Sequence, residues 1–327
     1  MIKACFNQPN TPSSISSSSG SYYSQSQMPQ NVVTCIYQTQ LCNNNTPTYL
    51  TLSWSKTLSS HSLTISAPDM FTTTIPLTSP TLSLFKTRHK PKSKSINHNR
   101  KKTKLHWNFT RAEFTQNSAE PHSHFYLGIS HNGTLQFFLG DLLQDFTQRH
   151  TKLVIFDTNT TQQNNNNCVL LSRREHVFGT RSSYVSRAVF MGSKHDIEIG
   201  CGGGALSVKV DGVTRLVVKR LAWKFRGYEK FMVDGVEVEF YWDVLSWVVN
   251  SNGNGVFVFQ VGDGTVWPEM VGAEKRLMRK KTVSTSSVLQ WAEETVESGR
   301  TSSSSSTRSS GSNATSFSFL LYAWNIN

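Results

Sequence analysis

With 327 residues, 37% of them apolar, the chain is long enough to bury a substantial core as one large β domain or two smaller ones. Its net charge of +12 is unevenly spread: no Asp or Glu precedes Asp69, and Lys86 to Lys104 holds nine Lys or Arg and no acid. Five widely spaced cysteines (Cys5, Cys35, Cys42, Cys168, Cys201) are odd in number and contain no CxxC pair, which excludes a disulfide framework and a cysteine zinc site and leaves them as expected free thiols.

The leader, residues 1 to 30, is rich in Ser and Gln and too poor in large apolar side chains to fold, so it is expected to be disordered. It lacks the apolar stretch of a secretory signal and the arginines of an organelle transit peptide, so the expected location is the cytoplasm or nucleus, with organelle import the lesser alternative. Sequons at Asn44, Asn108, Asn132, Asn159 and Asn313 would matter only on secretion. The apolar run near the C-terminus, Phe319 to Trp324, is far short of a membrane-spanning helix.

From residue 31 the chain reads as strands. Val32 to Gln40 and Tyr49 to Trp54 come first, followed by Leu63 to Ile65, Thr74 to Leu77 and Thr81 to Phe85, with Pro68, Pro76 and Pro80 suited to turns or edges. The basic segment 86–104 is expected to be an exposed, poorly ordered insert, because nine like charges repel one another and resist burial. Leu105, Trp107 and Phe109 then alternate with polar residues, and Phe125 to Ile129 meets Thr134 to Leu139 across Asn132-Gly133. Asp141 to Arg149 has helical spacing with Asp141 placed to cap it.

Leu153 to Phe156, Cys168 to Ser172 and Tyr184 to Phe190 are further expected strands, the first two separated by an Asn-rich loop at 159–167. Between Ala205 and Phe259 lie five strand-like runs and two Asp-Gly links, Asp211-Gly212 and Asp234-Gly235, whose central residues suit the positive φ of a type I′ hairpin turn. Ser287 to Val296 carries a capping-box pattern for a short helix. A Ser-rich linker at 298–316 precedes Phe317 to Trp324, a final strand expected to complete a sheet.

These runs predict an all-β fold, an antiparallel β-sandwich or flattened barrel with one or two short helices. They also align as two halves, about 31–150 and 151–327 of a single domain: Leu63–Ile65 with Leu206–Val208, Leu82–Phe85 with Trp223–Phe225, Leu105–Phe114 with Val238–Trp247, and Phe125–Ile129 with Val256–Gln260. An internal duplication follows from that alignment, although any two β segments can be matched this way.

Two basic segments are candidate contacts for an anion or a partner. If Lys219 to Gly227 is extended, Leu221, Trp223 and Phe225 face the core while Arg220, Lys224 and Arg226 share the other face, so Trp223→Ala should cost about 3–5 kcal/mol. The cations could bind phosphates, or simply form a solvated face paired with Glu237 or Glu239. Arg100, Lys101, Lys102 and Lys104 resemble an import signal, or equally a solvated loop.

Glu175 and His176, as neighbours on a strand, would face opposite ways and could not work as one acid/base pair. Trp107-Asn108 and Trp242-Asp243 occupy matching places in the halves, their indoles read as core anchors. Gly200 to Gly204 lacks the following helix and Lys of a phosphate loop. No catalytic residue, metal ligand or cofactor site is expected, since GxSxG, HExxH and metal-spaced His/Cys sets do not occur.

Cys35-Ile36-Tyr37-Gln38, Leu52 to Lys56, Glu175 to Gly179, Lys219 to Gly227 and Val233-Asp234-Gly235 through Trp242-Asp243-Val244 resemble the plant family called domain of unknown function 868, from about Asn31 to Phe259. The chain departs from that family's pattern at Asn108, at Ser246 and in the basic insert. The resemblance implies no activity. The expected function is therefore a non-catalytic interaction protein of unknown protein partner, with a binder of an anionic ligand, nucleic acid or lipid headgroup, as the alternative.

Overall fold

The computed structural model describes residues 29–41, 47–77, 91–98, 101–115, 118–154, 168–179, 183–190, 193–249, 253–262 and 317–324. A four-strand meander comes first: β1 (Pro29–Thr39), β2 (Thr48–Thr57), β3 (His61–Ala67) and β4 (Phe71–Leu77). A second follows in β5 (Lys92–His98), β6 (Lys101–Asn108), β9 (Tyr126–His131) and β10 (Thr134–Gly140), interrupted by the short pair β7 (Glu113–Phe114) and β8 (Pro121–Ser123). Helix α1 (Leu143–Arg149) and β11 (Cys168–Phe178) lead to a third meander, β12 (Ser183–Phe190), β13 (Ser193–Gly202), β14 (Ala205–Val210) and β15 (Val213–Val218). The last comprises β16 (Arg226–Val233), β17 (Val236–Asp243), β18 (Asn254–Val261) and β19 (Phe317–Trp324), with α2 (Leu245–Val249) after β17.

Turn chemistry sets much of this. Asn132-Gly133, Asp211-Gly212 and Asp234-Gly235 take φ of 49 and 84, 52 and 75, and 48 and 80 degrees, the paired positive values of I′ hairpins. Pro76 lies on β4, an edge strand, where its missing N–H costs no ladder bond.

The first and last meanders join through β11 into a nine-stranded sheet of order β16-β17-β18-β19-β11-β1-β2-β3-β4, while the other two form four-stranded sheets, β10-β9-β6-β5 and β12-β13-β14-β15. No sheet closes on itself, which sets aside the barrel alternative, and β11 with β19 is a parallel pair within the otherwise antiparallel sheet. That pairing is the structural use of the C-terminal strand: Phe317 to Trp324 fills the gap between β18 and β11.

Both small sheets pack on one face of the large one. Cross-strand partners share a face, and in register Val33 sits beside Glu175 and Glu175 beside Leu321. Leu52, Trp54, Leu63 and Ile65 share one core with Leu105, Leu127 and Ile129, while Phe240, Trp242, Phe257 and Phe319 share the other with Ile197, Ile199, Val208 and Leu206.

Between the two cores lies a buried polar seam. Glu175 accepts bonds from Asn31 Nδ2 (3.0 Å) and from Ser186 Oγ, and lies 3.8 Å from Arg173 Nη2. Arg173 also pairs with Glu120, and Asn31 Oδ1 accepts the Ala119 N–H at 2.8 Å. The cluster thus ties β1, β11, β12 and the segment before β8 together at the middle of the sandwiching layers, and desolvation there pushes the Cys35 thiol up to about 12.

Several expectations need correction. The segment 86–104 is not an insert loop throughout, because Lys92–His98 and Lys101–Asn108 form the β5–β6 hairpin. Its Lys/Ser alternation suits an edge strand, where Lys94 reaches Thr73 Oγ1 of the opposite sheet at 2.8 Å and charge discourages edge pairing. Asp141 does not cap α1: its two oxygens accept the His124 and Phe125 N–H groups at 2.9 and 3.0 Å, and the helix starts two residues later. Of Leu153–Phe156, the described residues reach Val154, which makes one bridge to Thr134, and 155–156 lie outside them. Thr81–Phe85, the 159–167 loop, Ser287–Val296 and the 298–316 linker lie outside the described residues.

Candidate interaction surface

Lys219 to Phe225 is a turn joining the edge strand of a small sheet, β15, to the edge strand of the large one, β16. It is not extended, and the expected inward register fails for one residue. Arg220 adopts φ of 57 degrees, and its carbonyl accepts the N–H groups of Trp223 (2.9 Å) and Lys224 (3.2 Å), so the chain coils back on itself. Leu221 drops into the core at 3% exposure and Phe225 packs against its margin, but Trp223 is left 84% exposed.

The turn is held from beneath. The Leu221 N–H donates to Gly204 O, the Trp242 indole N–H donates to Lys224 O, and the Val244 N–H donates to Phe225 O, each at 2.8 Å. Trp242 lies over Gly227: a Cβ there would meet the indole at 2.0 Å, so only glycine lets the ring settle under the turn. On the outer face Arg226 Nε pairs with Asp243 Oδ2 at 2.8 Å, and Asp243 Oδ1 accepts the Leu245 N–H at 3.0 Å to start α2. Six non-glycine residues have positive φ among the described ones, and Arg220 alone of these is not Asp, Asn or His. A left-handed Arg carries a local cost, tolerated because the surrounding bonds fix it.

Lys219, Arg220 and Lys224 are exposed, and among the described residues none forms an ion pair, while Asp243 at that end of β17 is taken by Arg226. At the other end of the same strands acids and cations are mixed, with Lys194 and Arg215 near Asp211. There Asp211 Oδ2 lies 2.7 Å from His195 Nδ1, and Asp234 Oδ2 3.9 Å from its Nε2, so the two Asp-Gly turns converge on one buried histidine. The cations of the Trp223 turn are thus without ion-pair partners among the described residues, whereas the charges toward the two Asp-Gly turns largely offset one another.

Of the other candidates, Lys101 and Lys102 stand on β6 opposite His98 and Asn97, and Lys104 is half-buried opposite Ser95 and Ser130. Arg100 lies outside the described residues. These lysines belong to the other core's small sheet, so the two basic segments are separate patches and only Arg220, Lys224 and Arg226 share one turn. Arg226 is not free there.

Glu175 and His176 do face opposite sides. Glu175 points into the seam, whereas His176 stacks on Tyr322 at 4.5 Å and accepts the Trp324 indole N–H at its Nδ1 (3.1 Å). Burial, then the Arg174 charge, holds His176 below the ordinary imidazole value, which suits an acceptor nitrogen. Arg173 had no place in the sequence reading, although its spacing of two from Glu175 and four from Val177 put it in phase with the inward face.

No curated protein and no solved structure matches the chain. A family model does match, over residues 28–325, which extends past the motifs from Cys35 to Val244 and takes in the C-terminal strand β19. The chain belongs to the plant protein family of unknown function DUF868.

Proposed function

We propose that this protein is a non-catalytic β-sandwich interaction protein that meets its partner through the Trp223 turn. The observation that carries this is an indole 84% exposed on a turn that Gly227, the Trp242 indole N–H and two 2.8 Å backbone hydrogen bonds hold in place. Fixing a large aromatic side chain in water gains nothing for folding, and tryptophan and arginine are the residues that dominate contact energies when they are covered. The titratable groups that could do acid/base work are engaged structurally: Glu175 in the seam, His195 between two turns, and His106 Nε2 3.0 Å from Ser130 Oγ.

The unpaired charges of Lys219, Arg220 and Lys224 favour an anionic partner over a neutral one. The working location is the cytoplasm or nucleus, with the β5–β6 hairpin lysines as the import candidate. We also propose that the halves share an origin. In support, three of the four matched pairs, on β3 and β14, β6 and β17, and β9 and β18, take the same ordinal place in the meanders, the fourth lying outside the described residues on one side, and Asn108 repeats the Asp243 turn, accepting the Thr110 N–H at 3.1 Å as Asp243 accepts Leu245 at 3.0 Å.

The test is recovery of the tagged full-length chain from plant cells, with and without nuclease, beside a variant carrying Trp223→Ala, Lys219→Gln, Arg220→Gln and Lys224→Gln. Associated molecules should be lost from the variant. Identical recoveries for both chains would end this reading.

A further inference from the structure

We propose that the Trp223 turn is a contact for an anionic lipid bilayer, with the indole at headgroup depth and Lys219, Arg220 and Lys224 on lipid phosphates or carboxylates; this rests on the reading of the turn as the contact surface. Two independent features point there, one of shape and one of charge.

The turn displays one large apolar side chain to solvent. It projects between two edge strands, β15 and β16, and presents a single exposed indole, since Leu221 and Phe225 on either side of it pack inward. Single-stranded nucleic acid is held in a groove with successive aromatic platforms, and duplex DNA by a helix or ribbon that enters a groove. A tip with one indole offers neither. A bilayer asks less of shape, because its surface is flat on this scale and tryptophan is the side chain that settles at its interface, apolar body inward and N–H in the headgroups. Cations on both sides of Trp223 in sequence have stems long enough to keep their charge at the same level.

The charge pattern orients the molecule. Lys219, Arg220 and Lys224 lie at one end of β15 and β16, while Asp211 and Asp234 lie at the other, about 20 Å away along the six residues of β15 and somewhat more along the eight of β16. An anionic plane attracts the unpaired cations of the first end more than the second, where Asp211 and Asp234 offset Lys194 and Arg215, so it turns the Trp223 tip toward itself. One indole with a small basic cluster makes a reversible peripheral contact, since stable anchoring needs a further signal. The hydrogen bonds under the turn mean that no ordering of the tip is needed on contact, and its Arg220 φ of 57 degrees is already set.

The experiment is sedimentation of the full-length protein with vesicles of phosphatidylcholine alone or mixed with phosphatidylserine, beside single-stranded DNA and poly-glutamate as soluble polyanions. Wild type should bind the phosphatidylserine vesicles, not the pure phosphatidylcholine ones, and added salt should weaken it. Replacing Lys219, Arg220 and Lys224 by Gln should lower that binding about a hundredfold, the product of roughly fivefold per cation. Trp223→Ala should lower it separately while the Gln variant keeps its fold, as circular dichroism would verify. Indole emission that shifts to the blue on vesicle binding in wild type but not in Trp223→Phe would place the ring in the interface. Binding to DNA or poly-glutamate without binding to vesicles overturns the lipid assignment and leaves an anionic partner of another class. No vesicle binding, together with turn-dependent recovery of partners from cells, overturns the lipid assignment alone; turn-independent behaviour in both experiments overturns this inference and the interaction reading together.

Discussion

Two hairpins, β5–β6 and β16–β17, each carry a tryptophan near the end of the second strand, and what faces that ring separates a plain edge from a displayed turn. In β16–β17 Gly227 faces Trp242; in β5–β6 Lys92 faces Trp107. Each second strand ends in the same side-chain turn, at Asp243 and at Asn108. With glycine opposite, the Trp242 ring folds over its neighbour, is buried to 5%, and sends its N–H to the Lys224 carbonyl that closes the turn. With lysine opposite, Trp107 is half-buried and the strand beside it is a charged edge. A tryptophan at a matching place thus packs one core only, or packs a core and supports a turn, according to whether its cross-strand partner has a side chain.

The comparison breaks first at the indoles. Trp242→Ala empties a buried aromatic site and frees the Lys224 carbonyl, so it should cost about 3–5 kcal/mol in urea unfolding. Trp107→Ala should cost clearly less, because that ring is only half-buried. Equal losses would mean that the two tryptophans do the same work.

Next in size is the glycine. Gly227→Ala places a methyl group 2.0 Å from the Trp242 ring and should cost about 1–3 kcal/mol by overpacking, whereas Lys92→Ala on the exposed edge should stay within about 0.5 kcal/mol. If the clash is the cause, Trp242→Phe should relieve it, and Gly227→Ala should cost less in that background. Additive effects of the two substitutions would rule the clash out.

How much of this was legible in the residues depends on where the chain's local chemistry settles its path. The I′ turns at Asn132, Asp211 and Asp234, the edge position of Pro76 and the return of Phe317–Trp324 to a sheet were all readable, because left-handed dipeptides, a missing N–H and an apolar run each act locally. The Lys219–Phe225 turn is not legible because Leu221, Trp223 and Phe225 alternate like a strand. A signal against extension was present: that stretch has no β-branched residue, while Val213–Val218 before it has four Val or Thr in six positions. The β5–β6 hairpin was missed for the opposite reason, since an edge strand of alternating Lys and Ser has no apolar periodicity. The Arg173 seam was hidden because burial of a charge is decided by partners, Glu120 and Glu175, that only the fold brings near. For the interaction surface, the basic residues were legible but the exposure of Trp223 was not.

The smallest effect is the most telling one for the displayed turn. If Trp223 were an inward residue of an extended strand, Trp223→Ala would cost about 3–5 kcal/mol. At 84% exposure, on a turn whose hydrogen bonds come from backbone groups and from Trp242, the substitution removes no core contact and should change unfolding free energy by no more than about 0.5 kcal/mol. With Trp267 and Trp291, which lie outside the described residues, replaced by Phe in both chains, the same variant should lose the part of the tryptophan emission that acrylamide quenches most readily, shifting the remaining spectrum to the blue, since Trp54, Trp242 and Trp247 are buried. A large stability loss, or an unchanged quenching curve, would return Trp223 to the core and remove the indole from any contact surface. Retained stability with an altered spectrum leaves it where the β16–β17 hairpin sets it, and makes Trp223→Ala a clean variant for separating binding from folding.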